Sequence, residues 1–198
     1  PRCMLAEFDG PSIIDARIWE SEHFVATINR SGLGYSDGTG GQSDIVATLR
    51  PSAFGIATFE FMRDASGVPK ATNIAIIGGE TPGRQTVPRS ELFGAIVLIT
   101  RVHSNVVARL GIDASYVTNV AYNRARIEKG AIGDLWGLFF TLLEFRQAEI
   151  TIQEVSSHIE KEGAKTIELG FAEFVDIIGN SLADEAAELS ALLRPDQP

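Results

Sequence analysis

Cysteine is almost missing from this chain: Cys3 stands alone among 198 residues. A disulfide within the chain and a cysteine-based metal site are both excluded, which fits a reducing, intracellular setting, nucleus or cytoplasm. Long apolar runs are missing too. A membrane helix takes roughly 20 apolar residues. The strongest candidate, around Leu135 to Leu143, is short and bracketed by Asp134 and Glu144, so no membrane partner is expected. The start, Pro1-Arg2-Cys3-Met4, lacks the apolar core and cleavage site of a signal peptide, and an initial proline reads as a cut piece of something longer. Positive charge is scarce: 17 Lys and Arg face 26 Asp and Glu, for a net charge of −9. Domains that grip polyanions are usually basic, so charge alone argues against a nucleic-acid substrate. It suits a site that concentrates carboxylates and takes divalent cations. Internal repeats and low-complexity tracts are absent.

What is present suits one globular domain with a sizeable core: 44% hydrophobic and 22% charged residues. Residues 1–30 carry no motif and read as an N-terminal extension or linker, with His23 to Ile28 composed like a strand. Residues 31–195 read as the domain. Leu33 to Asp37, Ala53 to Phe61 and Asn73 to Ile77 are expected strands of an antiparallel meander. Pro88 to Val102 changes to a helical period, with Leu92, Ile96, Leu98 and Ile99 toward the core and Pro88 as opener. Arg109 to Asp113 is a short strand, and Ser115 to Tyr122 is helical. Asp134 to Arg146 is a strongly apolar helix with Asp134 as N-cap. Glu149 to Val155 alternates as a strand. Phe171 to Ile178 forms a short amphipathic turn or helix, and Asn180 caps a separate helix ending at Leu193. This order implies an α/β fold: a mixed five-stranded sheet, its first three strands antiparallel, flanked by helices.

The organising stretch is Gly34-Tyr35-Ser36-Asp37-Gly38-Thr39-Gly40-Gly41. It presents a carboxylate at a strand end, followed by glycines where a ligand can approach. Glu91 falls in the first turn of the first long helix, Asp113 ends the fourth strand, and Asp184 lies in the first turn or two of the last helix. Strand ends and helix starts converge on one edge of an α/β sheet. Crowded carboxylates repel one another. Hard oxygen ligands suit Mg2+ or Mn2+, and two such ions roughly 4 Å apart serve phosphodiester cleavage. Taken singly, each acid has a plainer reading. Asp37-Gly38 is an ordinary turn signal, and Glu91 and Asp184 fit helix-dipole acids worth roughly 0.3–1 kcal/mol. Asp113 fits a helix cap. Their joint occurrence is what those readings explain badly. Arg101, Arg109, Arg124, Arg126 and Lys129 gather about the third acid. They are open to two readings, a phosphate track on an acidic body or solvated helix positions.

Six segments, in order, resemble the ribonuclease H family, type 1, including its retroelement domains. They are YSDGTGG at 35–41, QTVPRSEL at 85–92, IDASYV at 112–117, GDLW at 133–136, SSH at 156–158 and GNSLADEAA at 179–187. The resemblance implies a ribonuclease H-like fold and hydrolysis of the RNA strand of an RNA–DNA hybrid with two Mg2+ ions, Mn2+ being an alternative. It implies Asp37, Glu91, Asp113 and Asp184 as metal ligands and His158 as a mobile-loop histidine serving product release or proton transfer. Substrate contacts are then expected from Gly38, Thr39, Arg89, Ser115, Tyr116, Asn119, Trp136 and Asn180, although Trp136 is first of all a core residue. A reverse transcriptase domain in the same polyprotein is the implied partner. The chain departs from the family at Ala114, where a serine is usual, and at Thr86-Val87-Pro88, where Asn or Gln is frequent. A transposase or integrase core on the same fold and a non-catalytic tethering or hybrid-binding module are the alternatives.

Overall fold

Period-two alternation along one long strand divides the molecule into two layers. The computed structural model describes residues 17–40, 52–65, 67–83, 85–118, 124–155 and 171–193. In β3 (Ala53–Arg63) Phe54 and Ile56 belong to one apolar cluster, while Ala57 and Phe59 belong to another on the opposite face. The first cluster lies under α1 (Phe24–Ser31), α2 (Val87–Arg101) and α5 (Gly133–Glu144). The second lies under α6 (Phe171–Leu192). The remaining elements are β1 (Ile18–Glu20), β2 (Leu33–Thr39), β4 (Pro69–Glu80), β5 (Ala108–Ile112), α3 (Ser115–Thr118), α4 (Arg124–Ile127) and β6 (Ile150–Glu154).

The strands form one mixed sheet in the order β1-β4-β3-β2-β5-β6. The antiparallel meander β2-β3-β4 is as the sequence implies, with Asp37 opposite Gly55 and Ile56 opposite Ile77. β5 joins β2 in parallel, Ser36 opposite Ile112, and β6 joins β5 in parallel. The sheet has six strands where five were expected. The sixth is β1, which pairs antiparallel with β4 and sets Trp19 opposite Gly78. Trp19 Nε1 donates to Ser190 Oγ at 3.1 Å on the α6 side. Ile18 packs against the other layer, and Glu20 pairs with Arg101 at 2.9 Å.

Three local expectations are corrected. His23 to Ile28 lies in α1 and its entry turn, not a strand. Phe24, Thr27 and Ile28 are buried, and their i, i+3, i+4 spacing buries a helical face that outweighs β-propensity. Asp134 lies in the first turn of α5, while Ile132 occupies the N-cap position with no side-chain bond. The largest change is in α6, which runs unbroken for 22 residues. Asn180 sits in its interior, buried, and caps nothing. Val175, Gly179, Ala183, Ala186, Ala187 and Ser190 make one continuous buried face, so the Gly179-Asn180 pair does not end the helix.

Small residues on that face let α6 lie close on the sheet. A Cβ on Gly55 would come 2.1 Å from the Ala183 carbonyl oxygen and 2.3 Å from the Ala187 nitrogen. Gly179 likewise faces the ring of Tyr35. Gly55→Ala is therefore expected to cost about 1–3 kcal/mol by forcing α6 outward. Gly137→Ala is the matched control. Nothing lies within 4 Å of a Cβ at that helical position, so it should gain about 0.5–1 kcal/mol. Urea unfolding of both variants checks this; an unchanged midpoint for Gly55→Ala would contradict the seating of α6.

Candidate metal centre

The parallel register of β2 and β5 creates the centre. Ser36 stands opposite Ile112, so Asp37, still within β2, and Asp113, just past the end of β5, come side by side. Alternation along β2 sends Gly34, Ser36 and Gly38 toward α2, and Tyr35 toward α6; Asp37 follows Tyr35 by the same period of two. Glycine at position 38 has a steric cause. A Cβ there would lie 2.5 Å from the Glu91 nitrogen and 2.7 Å from Ser90 Oγ. Its absence lets the start of α2 come down beside β2, bringing Glu91 with it.

Asp37, Glu91 and Asp113 each offer a carboxylate oxygen within 4.8 Å of the others. Asp37 is only 8% exposed, and its Oδ1 accepts the Gly38 N–H at 2.6 Å. Burial, and then repulsion from Asp113, Asp184 and Glu91, pushes its pKa up to about 8 against the Gly38 bond. Burial raises Glu91 to about 7; the Tyr116 hydrogen bond opposes the rise and Asp113 adds to it. Asp184 reaches Asp37 through repulsion but stands outside the group of three. No arginine or lysine among the described residues offsets the repulsion on Asp37 or Glu91. Hard oxygens crowded in this way fit divalent cations of the Mg2+ class. The helix-dipole readings fall away for two acids. α2 has no acid in its first turn, and α6 has only Glu173 there. Glu91 and Asp184 sit farther along, where the dipole's effect is spent.

The residues expected to touch substrate divide. Tyr116 stands beside the centre, its hydroxyl 2.8 Å from Glu91 Oε2 and 2.6 Å from the Pro88 carbonyl oxygen. Gly38 and Thr39 continue β2 past Asp37, and Ser115 opens α3 two residues after Asp113. Arg89, Trp136 and Asn180 are turned into the protein instead. Arg89 is 5% exposed; its guanidinium donates to both Asp134 oxygens at 3.0 and 2.5 Å and to the Pro82 carbonyl at 2.7 Å. Trp136 is buried among Tyr116, Phe139 and Phe140. Asn180 is 7% exposed in the middle of α6. Asn119 and His158 lie outside the described residues.

The track of cations is largely occupied by carboxylates. Arg101 pairs with Glu20 at 2.9 Å, Arg109 with Asp176 at 2.8 Å, and Arg124 with Glu128 at 2.8 Å and with Glu144. The Arg124 guanidinium also lies over the Phe140 ring. Lys129 is exposed, and the Arg126 side chain lies outside the described residues. One network was not foreseen. Tyr35 Oη donates to Asp176 Oδ1 at 2.7 Å, and Arg109 grips both Asp176 oxygens and donates to Gln153 at 2.8 Å. It ties β2, β5, β6 and α6 together one strand turn from Asp37. The only signal in the sequence is Arg109 placed near the start of a short strand.

No protein-family model and no curated protein matches this chain. Solved structures do. The solution structure of the PFV RNase H domain superposes with a TM-score of 0.56 at 16% identity, over 81% of this chain and 94% of that one. The crystal structure of the prototype foamy virus protease–reverse transcriptase gives a TM-score of 0.56 at 15% identity, over 96% of this chain and 22% of that one. The fold is thus that of ribonuclease H domains, in agreement with the six sequence segments. Among the described residues no helix is long and apolar enough to cross a membrane.

The raised carboxyls set a pH dependence. Asp37 rises from 3.8 to about 8 and Glu91 from 4.5 to about 7. Both hold protons more tightly folded than unfolded, so their contribution is fully present below about pH 4 and is lost as pH rises toward 8. In EDTA, wild-type Tm should fall relative to Asp37→Asn across that window. Mg2+ should raise wild-type Tm more at pH 8 than at pH 5. Parallel pH profiles for the two proteins would contradict this account.

Proposed function

We propose that this domain is a metal-dependent endoribonuclease that hydrolyses the RNA strand of RNA–DNA hybrids. The observation that carries the reading is the group of three carboxylates within 4.8 Å, on a sheet shared with ribonuclease H domains. Asp37, Glu91 and Asp113 would hold two Mg2+ ions, or Mn2+, with Asp184 completing the set from α6. When bound, such ions supply a water acidic enough to attack at neutral pH and stabilise charge on the leaving oxygen. Asp37 belongs to a central strand with neighbours on both sides, so it fixes the position to which the other ligands are referred. β2 and the start of α2 hold two of the acids on a backbone that cannot shift without disturbing the core. His158 would assist product departure or proton transfer. The products would be a 3′-hydroxyl and a 5′-phosphate. Hybrid binding would rest on the wide minor groove and the 2′-hydroxyls of the RNA strand, with backbone contacts that weaken steeply with salt. The setting would be intracellular, within a polyprotein that also carries a reverse transcriptase.

A second reading has a specific observation behind it. Arg89 and Trp136 are buried, and Arg101, Arg109 and Arg124 are paired. That leaves few described cations for phosphates and supports a non-catalytic tethering module, which need not bind divalent ions.

Cleavage of a labelled RNA–DNA hybrid separates the two, run beside single-stranded RNA, duplex RNA and duplex DNA in Mg2+ and in Mn2+. Hybrid-only cutting is expected, and Asp37→Asn should lower the rate by about a thousandfold or more. Cutting that survives Asp37→Asn would sink the assignment of the centre. A folded wild type that cuts nothing in either ion would favour the non-catalytic module.

A further inference from the structure

Tyr116 stands where two parts of the centre meet. It lies three residues after Asp113, and its hydroxyl reaches both Glu91 Oε2 at 2.8 Å and the Pro88 carbonyl oxygen at 2.6 Å. Both acceptors belong to the start of α2, whereas Tyr116 belongs to α3 at the end of β5. The one hydroxyl proton is shared between these two acceptors, and either way it joins the segment that carries Asp113 to the start of α2, which carries Glu91. The ring has a stop behind it: it meets Trp136 edge-on, centroids 6.3 Å apart, and Trp136 is itself 4% exposed.

The need for such a tie follows from the chemistry of glutamate. Its carboxylate sits on a chain with three rotatable bonds, and ordering it carries an entropic cost. Asp113 repels Glu91, and repulsion between like charges drives a mobile side chain outward. Asp37 is anchored by a central strand and by the Gly38 N–H. Glu91 has a comparable restraint only through Tyr116 among the hydrogen bonds described for it. A ligand fixed before the cation arrives is not ordered at the expense of binding.

We infer that Tyr116 is a positioning residue that presets Glu91 for the divalent cation and thereby sets the cation affinity of the centre. This rests on the metal-centre reading above. Tyr116 acts on Glu91 and through it on the cation; a contact with the nucleic acid is the competing role.

Tyr116→Phe tests it, since the ring and its packing on Trp136 are kept and only the hydroxyl is lost. Calorimetric titration with Mn2+ and Mg2+, without nucleic acid, should show affinity about five- to tenfold weaker than wild type. Tm in EDTA should change little, which separates positioning from folding. In hybrid cleavage, KM should hold while the cation concentration for half-maximal rate rises, and excess cation should restore kcat. Glu91→Gln is the reference for loss of the ligand itself and should weaken binding more. Equal cation affinity in wild type and Tyr116→Phe would overturn the inference while leaving the centre intact. So would a rise in hybrid KM with unchanged cation affinity, which would make Tyr116 a substrate contact. Failure of the wild type to bind either cation would overturn the metal-centre reading and this inference with it.

Discussion

The parallel pairing of β2 with β5 is the constraint on which the rest of this structure depends. Opposing Ser36 to Ile112 leaves the next residues, Asp37 and Asp113, abreast at the same end of the sheet. Parallel neighbours require a crossover, and here the crossover contains β3, β4 and α2. The same connection that makes the strands parallel therefore delivers Glu91. Gly38 is the steric condition for its arrival. The result is a concentration of like charge that no folding force favours. The apolar layers on both faces, with Phe54 and Phe93 edge-on in one and Tyr35 stacked on Phe59 in the other, hold it in place.

The elements that the sequence made legible are those whose signal is local. β2, β3 and β4 show alternation, and α2 shows a helical period opened by proline, so their existence could be read directly. The acids could be read as a set because six short segments occur in order. What stayed hidden depends on partners far away in the chain. Local rules break α6 at Gly179-Asn180, because glycine and asparagine usually end helices. Only the Tyr35 ring, 2.2 Å from where a Cβ would be, explains a glycine in mid-helix. Arg89 as a substrate contact fails for a similar reason: its burial is fixed by Asp134 on α5, which no nearby residue announces. The burial of Trp136 agrees with its reading as a core residue.

Charge is managed differently at the centre and around it. Around it, acids and bases cancel in pairs, the exposed ones worth little each, and the pairs fix geometry: Arg109 and Asp176 join a helix to two strands, and the buried Arg89 joins α2 to α5. At the centre, burial and neighbouring acids raise the pKa values of Asp37 and Glu91. The three carboxylates that lie within 4.8 Å of one another gather at one end of the sheet.

α6 closes the structure from the far end of the chain. Trp19 meets Ser190 across 171 positions, and Tyr35 meets Asp176 across 141. Contacts so distant make for slow folding, and they impose an order of events on a chain emerging from the ribosome. Before residues 171–192 are available, the face bearing Tyr35, Ala57 and Phe59 lacks the helix that packs on it among the described residues, and such surfaces invite aggregation. The helix that shields this face also carries Asp184. A chain that has not finished folding therefore presents an apolar face until its last helix docks.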